Sequence, residues 1–375
     1  MKIFSHKHYL KKPLKTNIII SEFLVKSKKL NNKLKGSCFV KKKLQVANIG
    51  MKFGMCHVEG ALGCKDAEIA MICDNNEENL RFAGERYNIP EKKRTTDYMD
   101  IVNNEDIDVV TVAIPDQQHK KVSCDLLRAG KHVLCEKPLA LTREDIEEIV
   151  KVAKESNAKF MVGQICRFTP AFEKAKEIIE SGTIGELYFV ESEYAHDYML
   201  IQEPWRCDPK RHGVIGGGCH AVDLLRWLAG DPKEVFAYGT HKLLPHVTYD
   251  DATIAIMKFD DNLAGKVFVS TGCKRDYTMR TVIYGTKGTL ICDNTSPTMT
   301  LFTVDEKQVT KEPETIEVEV NNHNAVKEFE VFADAILNDK DVMTDALEGA
   351  KTVEVCLSIV ESAKTGKVVK PDYNF

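Results

Sequence analysis

The chain has 375 residues, 43% of them hydrophobic and 29% charged, which suffices for two domains and a sizeable core. The net charge of −4 hides an asymmetry: residues 1–43 carry thirteen lysines against Glu22 alone, a sum of +12, which leaves −16 for the rest. An acidic body of this kind argues against nucleic acid as a partner, and no run approaches the roughly 20 apolar residues that span a bilayer.

In chain order the basic stretch 1–43 comes first. It holds a short apolar run at 18–20, lacks arginine, and has neither a signal-length apolar region nor a small-residue cleavage site. It reads as a disordered extension, or as upstream sequence from a misassigned start, with an RNA- or membrane-tethering arm as the alternative. From Leu44 the pattern is regular. "LQVANIG", "EIAMICD", "DVVTVAIP", "KHVLCEKP" and "KFMVGQI" are short apolar runs, separated by helical stretches such as "NEENLRFAGERYN", "HKKVSCDLLRAG" and "REDIEEIVKVAKESN". Buried strands alternating with helices predict a doubly wound parallel sheet over 44–163, which binds its ligand at the carboxyl ends of the strands.

After the helix "AFEKAKEIIESG" the character changes. "ELYFVESEYA", "EVFAYGTHKL", "ATIAIMKF", "AGKVFVSTG", "RTVIYG", "GTLICD" and "TMTLFTV" follow closely, with "DDNLAG" and "GTKG" as hairpin turns. They predict an α/β domain over 164–375 built on an open, mostly antiparallel sheet. The final helix, "DALEGAKTVEVCLSIVESAKTGK", is expected to pack back on the first domain. Such a sheet leaves one face for a partner, so a homo-oligomer, dimer or tetramer, is expected.

The first strand-to-helix turn, "GMKFG" at 50–54, keeps Gly50 and Gly54 of the fingerprint G-x-G-x-x-G and places Lys52 at the middle glycine. A lysine there either points away from a pyrophosphate or pairs with it. Asp74, 24 residues after Gly50 (74 − 50), ends the second strand. An acid at that point accepts hydrogen bonds from adenosine ribose hydroxyls and repels a 2′-phosphate. No arginine adjoins it, so NAD is expected over NADP; the plain alternative is an aspartate that caps a helix. The twelve cysteines contain no CxxC pair, and Cys207, His212 and Cys219 match no zinc spacing, so no metal site is expected. Scattered thiols suit a reducing compartment, the cytoplasm.

"AIPDQQH" (113–119), "AGKHVLCEKPLALT" (129–142), "RFTPAF" (167–172), "GTIGELYFVESEYAH" (182–196), "GCHAVDLLRWLAG" (218–230) and "IYGTKGTL" (283–290) are more telling together. From Leu44 onward the chain resembles the Gfo/Idh/MocA family of NAD(P)-dependent oxidoreductases. The resemblance implies a Rossmann domain, a second α/β domain, and hydride transfer between a nicotinamide and a sugar, cyclitol or related polyol. It places Pro115, His119, Glu136 and Lys137 around the cofactor, with Gly50, Lys52, Phe53, Gly54 and Asp74. It also implies that Lys137 and His220 are the catalytic pair.

Lys137, between a strand end and Pro138, suits hydrogen bonding to the reacting oxygen; the plain alternative is an exposed lysine at a turn. The family frequently has an aspartate four residues before the histidine, and Gly216 stands there instead. A partner for His220 is therefore sought in Asp223, His212 or Tyr194, or His220 acts alone, its ordinary pKa of about 6.5 already suiting proton exchange. The glycines 216–218 are expected to clear space for substrate. Arg167, Tyr194, Trp205 and Arg206, with His212 and Asp223, are the expected substrate contacts; the plain alternatives are surface arginines at 167 and 206 and core aromatics at 194 and 205. Two rival functions stand beside dehydrogenation: elimination or glycoside cleavage through transient oxidation, and a non-catalytic NAD sensor.

Overall fold

The structure, a computed structural model, describes residues 43–375; the expected basic extension lies, apart from Lys43, outside the described residues. The first half runs β1 (Leu44–Ile49), α1 (Met55–Gly63), β2 (Ala67–Cys73), α2 (Glu77–Arg86), β3 (Arg94–Thr95), α3 (Met99–Val102), β4 (Val109–Val112), α4 (His119–Arg128), β5 (His132–Glu136), α5 (Arg143–Glu155) and β6 (Phe160–Gly163). All pairings are parallel, in the order β3-β2-β1-β4-β5-β6. β4 and β6 are buried at every residue, as expected for strands covered on both faces. The order reverses between β1 and β4, and the crevice at that switch point is where a doubly wound sheet takes its ligand. The two-residue β3 is too short to leave a periodic signal in the sequence.

The second half holds α6 (Pro170–Glu180), β7 (Leu187–Ala195), α7 (Gly213–Gly216), α8 (Cys219–Ala229) and seven further strands. These are β8 (Glu234–Thr240), β9 (Ala252–Lys258), β10 (Ala264–Ser270), β11 (Thr278–Gly285), β12 (Gly288–Asp293), β13 (Thr298–Thr303) and β14 (Glu314–Glu317). They form one sheet, β14-β13-β12-β11-β7-β10-β9-β8, antiparallel except where β7 lies parallel to β10. β9 shows the one-sided covering: Thr253, Ala255 and Met257 point into the core, while Ile254, Ile256 and Lys258 point out. α8 packs across β7 and β10 on the inner face.

Two late helices tie the halves together. α9 (Ala325–Leu337), absent from the expectations above, packs on α1 so closely that a Cβ on Gly60 would meet the Ala325 carbonyl at 2.6 Å. Its Phe329 and Phe332 share a core with Val46 and Ile72 of the parallel sheet. α10 (Ala346–Thr365) puts Ala350 and Val353 into the first half's core and Cys356 and Ile359 into the second's. Beyond it, Val369 pairs with Val235 of β8. Arg143 of α5 then donates to the carbonyls of Asp372 and Asn374, and Lys154 to that of Phe375.

Candidate active site

A cavity of about 640 Å³ lies over the switch point. Gly50, Lys52, Phe53 and Asp74 line it together with Pro115, Glu136 and Lys137 of the first half and Tyr194, Trp205, Arg206 and His220 of the second. Gly50 has φ +92°, and a Cβ on it would sit 2.2 Å from the Ala113 carbonyl oxygen, so the turn admits glycine alone. The Gly54 N-cap of α1 makes no side-chain hydrogen bond and no acid occupies the first turn. An uncapped, nine-residue helix start facing a cavity fits a dinucleotide's pyrophosphate. Asp74 accepts from the amides of Met51 (2.6 Å) and Asn76 (2.8 Å), so the same carboxylate that faces the cavity also pins the glycine turn. Lys52 turns its ammonium to Glu203, 2.7 Å away across the mouth.

Lys137 follows β5 directly, joined to Pro138 by a cis peptide. His220 lies in the first turn of α8, buried, its ring stacked on Tyr194 with centroids 6.1 Å apart. Burial and then the charge of Lys137 hold its pKa well below the usual 6.5, so its imidazole is neutral. Its Nδ1 faces the Cys166 sulfur at 3.4 Å, which leaves Nε2 as the other ring nitrogen.

The glycines before α8 serve packing rather than open space. A Cβ on Gly217 would meet the Tyr198 hydroxyl at 2.5 Å and the Tyr194 ring at 2.8 Å, and one on Gly216 would meet the Arg211 guanidinium at 2.2 Å. Arg211 therefore covers position 216, donating to the Gly216 carbonyl (3.2 Å) and to Asp116 (2.7 Å). An acid at 216 would displace a buried cation.

Five expected residues lie outside the cavity lining, Gly54 at the N-cap of α1 among them. Arg167 and Asp223 are bound to each other, Nε to Oδ2 at 2.9 Å and Nη2 to Oδ1 at 2.7 Å, and Asp223 also accepts from Thr352 of α10. Neither is free for substrate, and Asp223 is no partner for His220. His212 accepts from the Val214 amide at the start of α7 and faces Asp250 at 3.6 Å, with burial pulling its pKa down to about 4. His119 bridges the carbonyls of Ile114 (3.0 Å) and Pro138 (2.8 Å). Burial opposes its charge, yet Cys135, Asp116 and the Pro138 carbonyl push its pKa up to about 10. It holds the Pro115 loop against the Lys137 turn rather than lining the cavity.

Asp116, Tyr198, Arg211, Tyr277 and His323 line the cavity without having been singled out in the sequence. Behind Lys137, His57 Nε2 pairs with Glu136 Oε1 at 2.8 Å. Burial works against both charges, but their contact raises the histidine and lowers the acid. Glu328 of α9 lies beside them, its Oε1 buried without a hydrogen-bond partner, and burial pushes its pKa up to about 8. No linear motif carries this trio, although His57 falls just after the glycine turn.

Comparison with known proteins adds the following. Residues 44–164 match the oxidoreductase family with an NAD-binding Rossmann fold, and residues 172–291 match the GFO/IDH/MocA C-terminal domain. A myo-inositol 2-dehydrogenase of Thermotoga maritima is 25% identical over 274 residues, 70% of this chain and 79% of that one. A levoglucosan dehydrogenase of Pseudarthrobacter phenanthrenivorans is 31% identical over 180 residues, 44% of each chain. The solved structure of a levoglucosan dehydrogenase in complex with NADH superposes with a TM-score of 0.80 at 22% identity, covering 88% of this chain and all of that one.

Proposed function

This chain belongs to the Gfo/Idh/MocA oxidoreductase family, and from that premise we propose that it oxidises a secondary hydroxyl of a sugar, cyclitol or related polyol with NAD, or reduces the matching carbonyl. One observation supports this above the others: Lys137 and His220 line the same cavity as the glycine turn and Asp74. Bound NAD supplies the hydride acceptor. The Lys137 ammonium holds the reacting oxygen and stabilises the negative charge that grows on it. His220, neutral because it is buried beside a cation, takes the hydroxyl proton on Nε2. Asp74 favours NAD over NADP by repelling a 2′-phosphate.

The test is a panel of polyols, including myo-inositol and levoglucosan, with NAD on the full chain. NADH formation is expected, and Lys137→Ala should lower kcat by roughly 10²–10⁴-fold while NAD binding, followed by fluorescence, persists. Full activity in that variant would remove the site. Sugar release from a glycoside without net NADH would favour transient oxidation, and NAD binding without any turnover would favour a sensor.

A homo-oligomer through the outer face of the second sheet accompanies this reading. There Tyr238 stands opposite Ile254, beside Ile256, and the three are 65%, 39% and 57% exposed. Light scattering at micromolar concentration should give a multiple of the chain mass; a monomer would count against it. Cytoplasmic residence is inferred from the free thiols of the described residues, among which no helix is long and apolar enough to cross a membrane.

A further inference from the structure

The Nδ1 side of His220 meets a sulfur rather than a carboxylate. Cys166 Sγ lies 3.4 Å from Nδ1, and among the described residues no other group bonds either nitrogen of that ring. Cys166 sits in the short 3₁₀ turn Ile165–Phe168, and its neighbour Arg167 grips Asp223 of α8 with two hydrogen bonds. His220 and Asp223 are three positions apart and share one face of α8. The turn that holds the acid therefore also sets the sulfur against the imidazole. Tyr194 stacks on the ring with 20° between the planes, which fixes its tilt.

The same sulfur contacts Met279 Sδ of β11 at 3.3 Å, and both side chains are buried. Burial, and then Asp223, raise the Cys166 pKa, so the group stays a thiol with one proton. A thioether can only accept, a thiol can do either, and a neutral imidazole carries one N–H. Two sulfurs 3.3 Å apart with no hydrogen between them would set lone pair against lone pair, so the thiol proton belongs on the Met279 side. The Nδ1 contact then needs a hydrogen of its own, and the imidazole supplies it as Nδ1–H. The reverse arrangement, Sγ–H to Nδ1, makes one better hydrogen bond but leaves the sulfur pair bare. It would also put the ring proton on Nε2, where it blocks a base.

Resting on the dehydrogenase reading above, we propose that Cys166, its own proton turned to Met279, is a positioning residue that accepts from His220 Nδ1–H and so presents Nε2 bare to the substrate hydroxyl. The experiment uses the full chain with nitrogen-15-labelled histidine, read by NMR at a pH where histidines are neutral. His220→Gln identifies the His220 signal by its loss. Nδ1 is expected to carry the proton and Nε2 to be bare; a proton on Nε2 overturns the proposal. In Met279→Leu, which keeps an apolar side chain of similar volume, the thiol loses its acceptor and turns to Nδ1. The ring proton should then move to Nε2, and kcat for polyol oxidation should fall about ten-fold or more with the KM for NAD unchanged. Cys166→Ser should do the same, since a hydroxyl donates to an imidazole more strongly than to a thioether.

A tautomer unmoved in both variants would also overturn the proposal, because control would then lie elsewhere. The tautomer is read without turnover, which separates this proposal from the dehydrogenase reading. A bare Nε2 with no NADH from any polyol would sustain the positioning and count against dehydrogenation. NADH formation with a proton on Nε2 would do the reverse.

Discussion

Two buried charge clusters lie near the proposed catalytic pair, Lys137 and His220, and they are built differently. Arg167, Asp223, Arg226, Asp231 and Glu348 form a network in which Asp223 accepts from Arg167 and Thr352, and Arg226 donates to Asp231, Thr352 and the Glu348 carbonyl. Each buried polar atom of that network has its partner. Around Glu136, His57 and Glu328 an ion pair sits beside an acid with an orphaned oxygen. Low dielectric makes a satisfied network rigid and an unsatisfied one costly. The first cluster is scaffold for α8 and therefore for His220. The second lies directly behind Lys137, where a charge imbalance is felt by the chemistry.

Asp223→Ala should break the comparison most visibly. It takes the bidentate carboxylate from the Arg167 guanidinium, 3% exposed, and leaves it Glu348 alone at 3.3 Å, so the loss should approach the about 3–5 kcal/mol of a broken buried ion pair. The fall should appear in the midpoint of urea unfolding. A variant as stable as the wild type would show that the network is not scaffold. Glu328→Gln should have a smaller effect that depends on pH. The folded pKa of Glu328, about 8, lies above the ordinary glutamate value of 4.5. Between those values the native state keeps a proton that the unfolded chain releases. Its contribution is full below the lower value and is lost as pH rises through the upper one. Glutamine does not titrate, so the variant's stability relative to wild type should rise as pH goes from 4.5 to about 8 and level off above that. Parallel stability curves would mean that Glu328 is ionised at neutral pH.

The sequence makes one half of the site plainer than the other, for a physical reason. Gly50, Asp74 and Lys137 belong to short segments whose meaning is local: a left-handed turn, a strand end, a residue before proline. His220 is readable from its place at a helix start. Arg167 and Asp223 are the wrong residue types to judge this way, since a charged side chain fits a buried pair as well as a pocket. The pair spans 56 positions and the Arg211–Asp116 pair spans 95, and no periodicity reports such contacts. α9 is a different case. Its Phe329, Phe332, Ala333 and Ile336 repeat at helical spacing, so the helix itself is legible, but nothing local says that it packs on α1. Glu328 enters the site on that helix, so its role follows from the packing.

The last residues of the chain act as a seam. Because Val369 is stitched to β8 while Arg143 and Lys154 hold the carbonyls of Asn374 and Phe375 against α5, this segment ties the second sheet to the first domain. On the opposite side the halves meet through the Lys52–Glu203 contact and through Gln117, which donates to the Trp205 carbonyl and to Asp208. Parting the halves on that side would break these contacts together with the buried Arg211–Asp116 pair.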